Sequence, residues 1–202
     1  MTACGAALRQ LVTGAQTFDE VADRLVRHLY TSLTMPQTGE PACVLIRLFK
    51  TTSYQHLAPN LKALADQRLG GTPGAPSMTC LTLSASAGMV PGWNDHTLSS
   101  RFRVIPLRTS EELDKLPMFS QLFRQLGVGL PDLARPNTSL LVDPGEHAFN
   151  VFHVPEAAGS PYVPAQEGFV EKYGVRSVLG FGAPLPDGQL FSIILFSQDV
   201  IP

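Results

Sequence analysis

The chain has 202 residues, 44% of them hydrophobic and 16% charged, and 15 basic against 17 acidic side chains give a formal charge of -2. That length buries one substantial core, so a single domain over residues 1–202 is expected, with 1–16 a loose leading segment. The balanced charge carries no basic footprint for nucleic acid, and no apolar run reaches the roughly 18 to 20 residues of a membrane helix. The opening MTACGAALRQLVTG lacks a basic start followed by an apolar stretch, so it is not read as a signal peptide. The expected location is the cytoplasm, away from membrane.

The first strong element is a helix over 18–33. Thr17 and Glu20 have capping-box spacing, and Phe18, Val21, Ala22, Leu25, Val26, Leu29 and Leu33 repeat at three- and four-residue steps. Asp23, Arg24 and Arg27 fall on its wet side. TMPQTGEP at 34–41 is loop, and 42–50 is a strand rich in Val, Leu, Ile and Phe, interrupted by Arg47. Pro59 opens a second helix, where a missing N–H costs least, and Gly70-Gly71 closes it. A strand over 78–87 follows, then the irregular GMVPGWNDHTLSSRF and a short strand over 103–107.

Thr109 and Glu112 repeat the capping spacing ahead of Leu113, Leu116, Phe119, Leu122, Phe123 and Leu126. Pro117 lies inside that pattern, so two helical pieces or a kink are expected, with Gly127 the stop. Residues 128–136 read as loop, 140–143 as a short strand and 147–154 as a strand. Pro164 starts a short helix carrying Phe169, Val170 and Tyr173, closed by Gly174. Strands over 175–182 and 189–197 are joined through PLPDG, where Asp187-Gly188 is a hairpin turn signal.

Six strands, mostly hairpin-linked, with helices early, midway and before the last pair, imply an α+β fold: a central antiparallel sheet packed against helices. The segments YGVRSVLGFGAPLPDGQLFSIILF, NDHTLSSRFRVIPLRTSEELDKLPMFSQLFRQLGV and FHVPEAAGSPYVPAQEGFV resemble GAF domains, in particular the sensor regions ahead of bacterial histidine kinases. PAS domains share the sheet-plus-helix design but open with strands rather than a long helix, and they rank second. The resemblance implies a ligand- or signal-sensing regulatory domain of a two-component system, a homodimer paired through terminal helices, and an output domain beyond Pro202. The chain departs from the bilin-binding members, having no Cys–His neighbours, and from the cyclic-nucleotide-binding members, having no NKFDE-type string.

In the GAF layout the pocket lies between the sheet and a helix-and-loop cover after the third strand. Phe119 and Phe123 stand four apart on that cover, and His153 and Tyr162 flank the fourth strand, so these four are the candidate ligand-binding residues for an unidentified small molecule. They belong to an aromatic set with Trp93, Phe102, Phe149 and Phe152. Large apolar side chains of this kind mostly end in the core, with a subset lining a cavity.

No catalytic motif appears: GxSxG, HExxH and Walker sequences are missing, and Glu111 and Glu112 suit a helix's first turn better than acid–base work. Gly180-Phe181-Gly182 leads into Ala-Pro-Leu rather than a helix, so close packing explains it better than a phosphate cradle. His147 and His153 would sit about 20 Å apart on one strand, too far to share a metal. The cofactor is unknown; an axial histidine for haem, with His153 the best placed, is the one cofactor reading the sequence admits. Cys4, Cys43 and Cys80 are odd in number and scattered, which argues against a disulfide framework. Two alternatives remain open at this level: a small-molecule reductase of the same fold using Cys43 or Cys80, and a module that only dimerises.

Overall fold

The computed structural model describes residues 10–99, 101–125 and 151–201. The expectations for 126–150, and for Cys4, His147 and Phe149, lie outside the described residues.

Helix α1 spans Phe18–Ser32. The Thr17 hydroxyl accepts from the Glu20 amide at 3.2 Å, while the Glu20 carboxylate reaches back one residue further, to the Gln16 amide at 2.8 Å. Two donors left over at the helix start are thereby satisfied. The apolar stripe buries Ala22 and Val26 and packs Phe18, Leu25 and Leu29 on one face of the sheet.

That sheet has six strands in the order β3-β2-β1-β6-β5-β4, with every neighbouring pair antiparallel. They are β1 (Cys43–Ser53), β2 (Thr79–Gly88), β3 (Val104–Leu107), β4 (Val151–Val154), β5 (Ser177–Pro184) and β6 (Leu190–Ser197). The fold is therefore α+β on an open antiparallel sheet, with β1 and β6 at its centre. Side chains alternate across a strand: Ile46 and Leu48 face α1, while Leu45 and Phe49 face away from it. On β2 a bulge breaks that alternation. Leu48 pairs with Ala85 but Phe49 with Leu83, so Ser84 is extra and the strand changes face there. Leu83 consequently joins the second face, while Ala85 and Ala87 present small side chains to α1.

Helix α2 (Pro59–Arg68) begins with proline in its first turn and ends before Gly70 and Gly71, both at positive φ. Its Leu61, Leu64 and Ala65 pack with Tyr54, Cys80 and Val104 near the β2–β3 edge. Two helices divide at Pro117 as expected: α3 (Ser110–Asp114) and α4 (Pro117–Gln125). Thr109 caps α3 by accepting from the Glu112 amide. Both cover the face of the sheet opposite α1, and Leu113, Phe119 and Phe123 are buried there.

The segment after β4 differs from its expectation. The turn expected as an ordinary helix from Pro164 is a π-helical turn over Gln166–Glu171, entered through Ala165 at φ +61°. The Gln166 side chain explains the wide turn: its amide protons are shared among the carbonyls of Val163 (2.7 Å), Ala157 (3.1 Å) and Ser160 (3.3 Å). Its carbonyl accepts from the Gly159 amide at 2.8 Å. The β5–β6 hairpin turns through PLPDG as expected. The Gly188 amide donates to the Leu185 carbonyl at 2.9 Å, with Gly188 at φ +78°, so Pro186 and Asp187 are the central pair and Gly188 makes the bulge that follows. Gly182 works as close packing, because a Cβ there would overlap the Phe191 carbonyl and press on Leu122 of α4. No helix among the described residues is long and apolar enough to cross a membrane.

Candidate functional site

An apolar cavity of about 230 Å³ lies between the sheet and its cover on the face opposite α1. Its floor is Leu45, Arg47 and Phe49 from β1 with Ile194 and Phe196 from β6. The walls come from three separate stretches: Trp93 and Phe102 after β2, Met118 and Phe119 on α4, and Pro164, Ala165 and Phe169 beside the π turn. The rings lock edge to face. Phe119 stands on Phe49 at 4.9 Å and 87°, and Phe169 on Phe196 at 5.0 Å and 89°. Trp93 packs against Phe169 and Tyr173. Contacts of this geometry contribute about 0.5 to 1.5 kcal/mol each beyond their buried area.

Trp93 is positioned by the residue beside it. The Asn94 side chain accepts from the Gly88 amide at 3.0 Å and donates to the Gly88 carbonyl at 2.9 Å. It thereby clips the loop to the end of β2. Gly88 cannot carry a side chain there: a Cβ would meet the Val44 carbonyl at 2.8 Å and Trp93 at 3.0 Å. The Asn94 carbonyl in turn accepts from Arg27 of α1 at 3.1 Å, so the cavity wall is tied to the helix on the far side of the sheet.

Arg47 is the exceptional residue of the floor. Alternation places it beside Leu45 and Phe49, in the inward row of a central strand. One guanidinium nitrogen donates to the Ser99 hydroxyl at 3.3 Å, and the group lies over the Phe102 ring at 4.6 Å. Its Nε is fully buried with no hydrogen-bond partner among the described residues. Burial pushes the guanidinium down to about 10, so it remains a cation at neutral pH. No carboxylate among the described residues lines the cavity with it; Arg101 does.

The four residues singled out by sequence do not converge. Phe119 lines the cavity. Phe123, at 6.3 Å from Phe119, is 1% exposed and fills the core behind it. His153 Nε2 carries a proton and donates to the Ile201 carbonyl at 3.0 Å, which orders the chain after β6. Tyr162 is 46% exposed and stands edge-on to Phe152. From the wider aromatic set, Trp93 and Phe102 join Phe119 at the cavity. Sequence reasoning passed over Arg47, although its alternation with Leu45 and Phe49 was visible.

Cys43 and Cys80 lie away from this cavity. Cys43 packs among the α1-facing residues and Cys80 among those of α2. Desolvation pushes their thiols up to about 11 and about 12, so both are protonated, poor nucleophiles at neutral pH. Among the described residues no cluster of three or more His, Cys, Asp or Glu could hold a metal.

No family model, curated protein or solved structure matches the chain. The site's chemistry therefore comes from its own geometry: a partly open aromatic chamber with a cation set in its floor and, among the described residues that line it, no nucleophile or carboxylate.

Proposed function

We propose that this chain is a GAF-like sensory domain that binds a small molecule between its sheet and cover and passes the event to an output domain outside this chain. The observation carrying the reading is the cavity itself, apolar, aromatic-walled and built from three separate segments on a two-strand floor. The long helix before β1 supports a GAF-like rather than a PAS-like arrangement. A pocket with few convergent polar groups suits binding.

The mechanism follows from which elements share the floor. β1 and β6 present Arg47 and Phe196 to the cavity and present Ile46 and Ile193 to the α1 side. A guest that repositions Trp93 also loads the Asn94–Arg27 link to α1. Signalling then requires that the guest bind one packing of the cover more tightly than the other. The domain works in the cytoplasm ahead of a histidine kinase, as a homodimer joined through α1.

The chain has a single tryptophan, and it lines the cavity. Titrating a panel of anionic, neutral and cationic metabolites while following Trp93 emission and the melting temperature tests the proposal. A compound that changes both saturably supports it. A panel that moves neither favours a purely structural module.

A further inference from the structure

We propose, building on the sensory reading, that the guest is a small aromatic carboxylate whose carboxylate sits on the Arg47 guanidinium and whose ring lies among Phe49, Trp93, Phe119 and Phe196. Size sets the first limit. An apolar cavity of about 150 Å³ takes a benzene ring, so about 230 Å³ holds one ring with a short polar arm. Drug-sized ligands fill roughly 300 to 1,000 Å³, so a guest held wholly within the chamber is smaller than these.

Charge sets the second. Arg47 and Arg101 both line the cavity, and no Asp or Glu among the described residues does. A half-buried cation without a counter-charge is an unfavourable feature to keep, and an anion arriving with the ligand removes that penalty only in the bound state.

Geometry sets the third. An arginine offers five N–H donors in the plane of the guanidinium. The guanidinium carbon lies 4.6 Å from the Phe102 ring centroid. Ser99 takes one nitrogen, and Nε has no partner among the described residues. Arg47 therefore keeps donor capacity beyond the nitrogen spent on Ser99, and guanidinium is the group that pairs best with a carboxylate. Arg101, in the same wall, has its backbone carbonyl held by Arg68 at the end of α2 and adds a second, exposed positive charge to the lining.

The test uses benzoate, phenylacetate and 3-phenylpropionate, each beside its primary amide, with benzylamine as the cation. Binding is read by calorimetry and Trp93 emission on the unsubstituted protein, Arg47→Met and Arg47→Lys. The expected result is at least one acid that binds ten or more times tighter than its amide, with no binding of benzylamine. Arg47→Met should erase the preference for acid over amide, and Arg47→Lys should keep part of it, because an ammonium pairs less well with a carboxylate. Should Arg47→Met fail to fold, the acid-to-amide ratio on the unsubstituted protein and on Arg47→Lys decides. Equal binding of acid and amide, or an Arg47→Met protein that still prefers the acid, overturns the inference. A neutral or cationic compound that binds while all three acids do not also overturns it but leaves the sensory reading standing. No response to any compound of the wider panel removes both.

Discussion

Replacing Arg47 by methionine should make the ligand-free protein more stable. The guanidinium is pushed by desolvation down to about 10, well below the ordinary arginine range. At about 1.4 kcal/mol for each tenfold change in proton affinity, that corresponds to roughly 3 kcal/mol. The sign is fixed by linkage. Folding disfavours the protonated form, so the penalty is fully present at pH 7 and lifts only as pH rises past the folded value. Partial solvent contact makes 3 kcal/mol an upper bound. Against it stand one hydrogen bond to Ser99, worth about 1 kcal/mol, and the contact with Phe102, worth about 1 kcal/mol. Methionine keeps the apolar stem and fills the space flexibly. The net gain is about 1 kcal/mol, a rise in melting temperature of roughly 2 to 4 °C for a chain of this size. Calorimetry and urea unfolding at pH 7 without ligand measure it. A fall of several degrees would mean that the cation is satisfied internally, and the argument for an unmet charge would be wrong.

Other expectations concern the frame around the cavity. Gln166→Ala removes the hub that joins Ala157, Ser160 and Val163 to the π turn, and should cost about 1 to 3 kcal/mol in urea unfolding; an unchanged midpoint would show that water replaces the side chain without loss. Gly182→Ala forces a methyl onto the Phe191 carbonyl and Leu122, and should lower stability by about 1 to 3 kcal/mol. A neutral result would mean that α4 does not press on β5 as described. In a Cys4→Ser background, Cys43 and Cys80 should resist a thiol reagent at pH 8 and react only on unfolding. Rapid labelling of the folded protein would revive the reductase alternative. The same burial predicts a pH dependence: an unfolded thiol ionises near 9 while Cys43 holds its proton to about 11, so in an Arg47→Met background, which removes the opposing titration of the guanidinium, stability falls as pH rises above 9, and a flat profile there would count against buried thiols.

Local chemistry was the legible part of the sequence. Thr17 and Glu20 gave the start of α1, Pro59 that of α2, and Thr109 with Pro117 the division into α3 and α4, because each signal lies within a few residues of its effect. What escaped was non-local. Ser84 is the extra residue of a bulge only because of how β2 pairs with β1, and no spacing within β2 announces it. The π turn depends on Gln166 finding carbonyls of the preceding loop, so periodicity alone reads it as an ordinary helix. The aromatic set was recognisable as a set, but which rings reach a cavity is decided by the tertiary packing of three segments. Phe119 faces the cavity while Phe123, one turn later, does not. His153 and Tyr162 sit beside β4, away from the central strands that floor the chamber. Arg47 was the one missed residue with a readable cue, a charge in the inward row of a strand whose inward neighbours are Leu45 and Phe49.

The most direct measurement is a crystal structure of the protein grown with the tightest-binding aromatic acid. The account predicts carboxylate oxygens about 2.7 to 2.9 Å from the Arg47 guanidinium, with the ring between Phe49, Trp93 and Phe119. A cavity filled by its own side chains, or an acid bound elsewhere with Arg47 turned to a protein carboxylate, would contradict it.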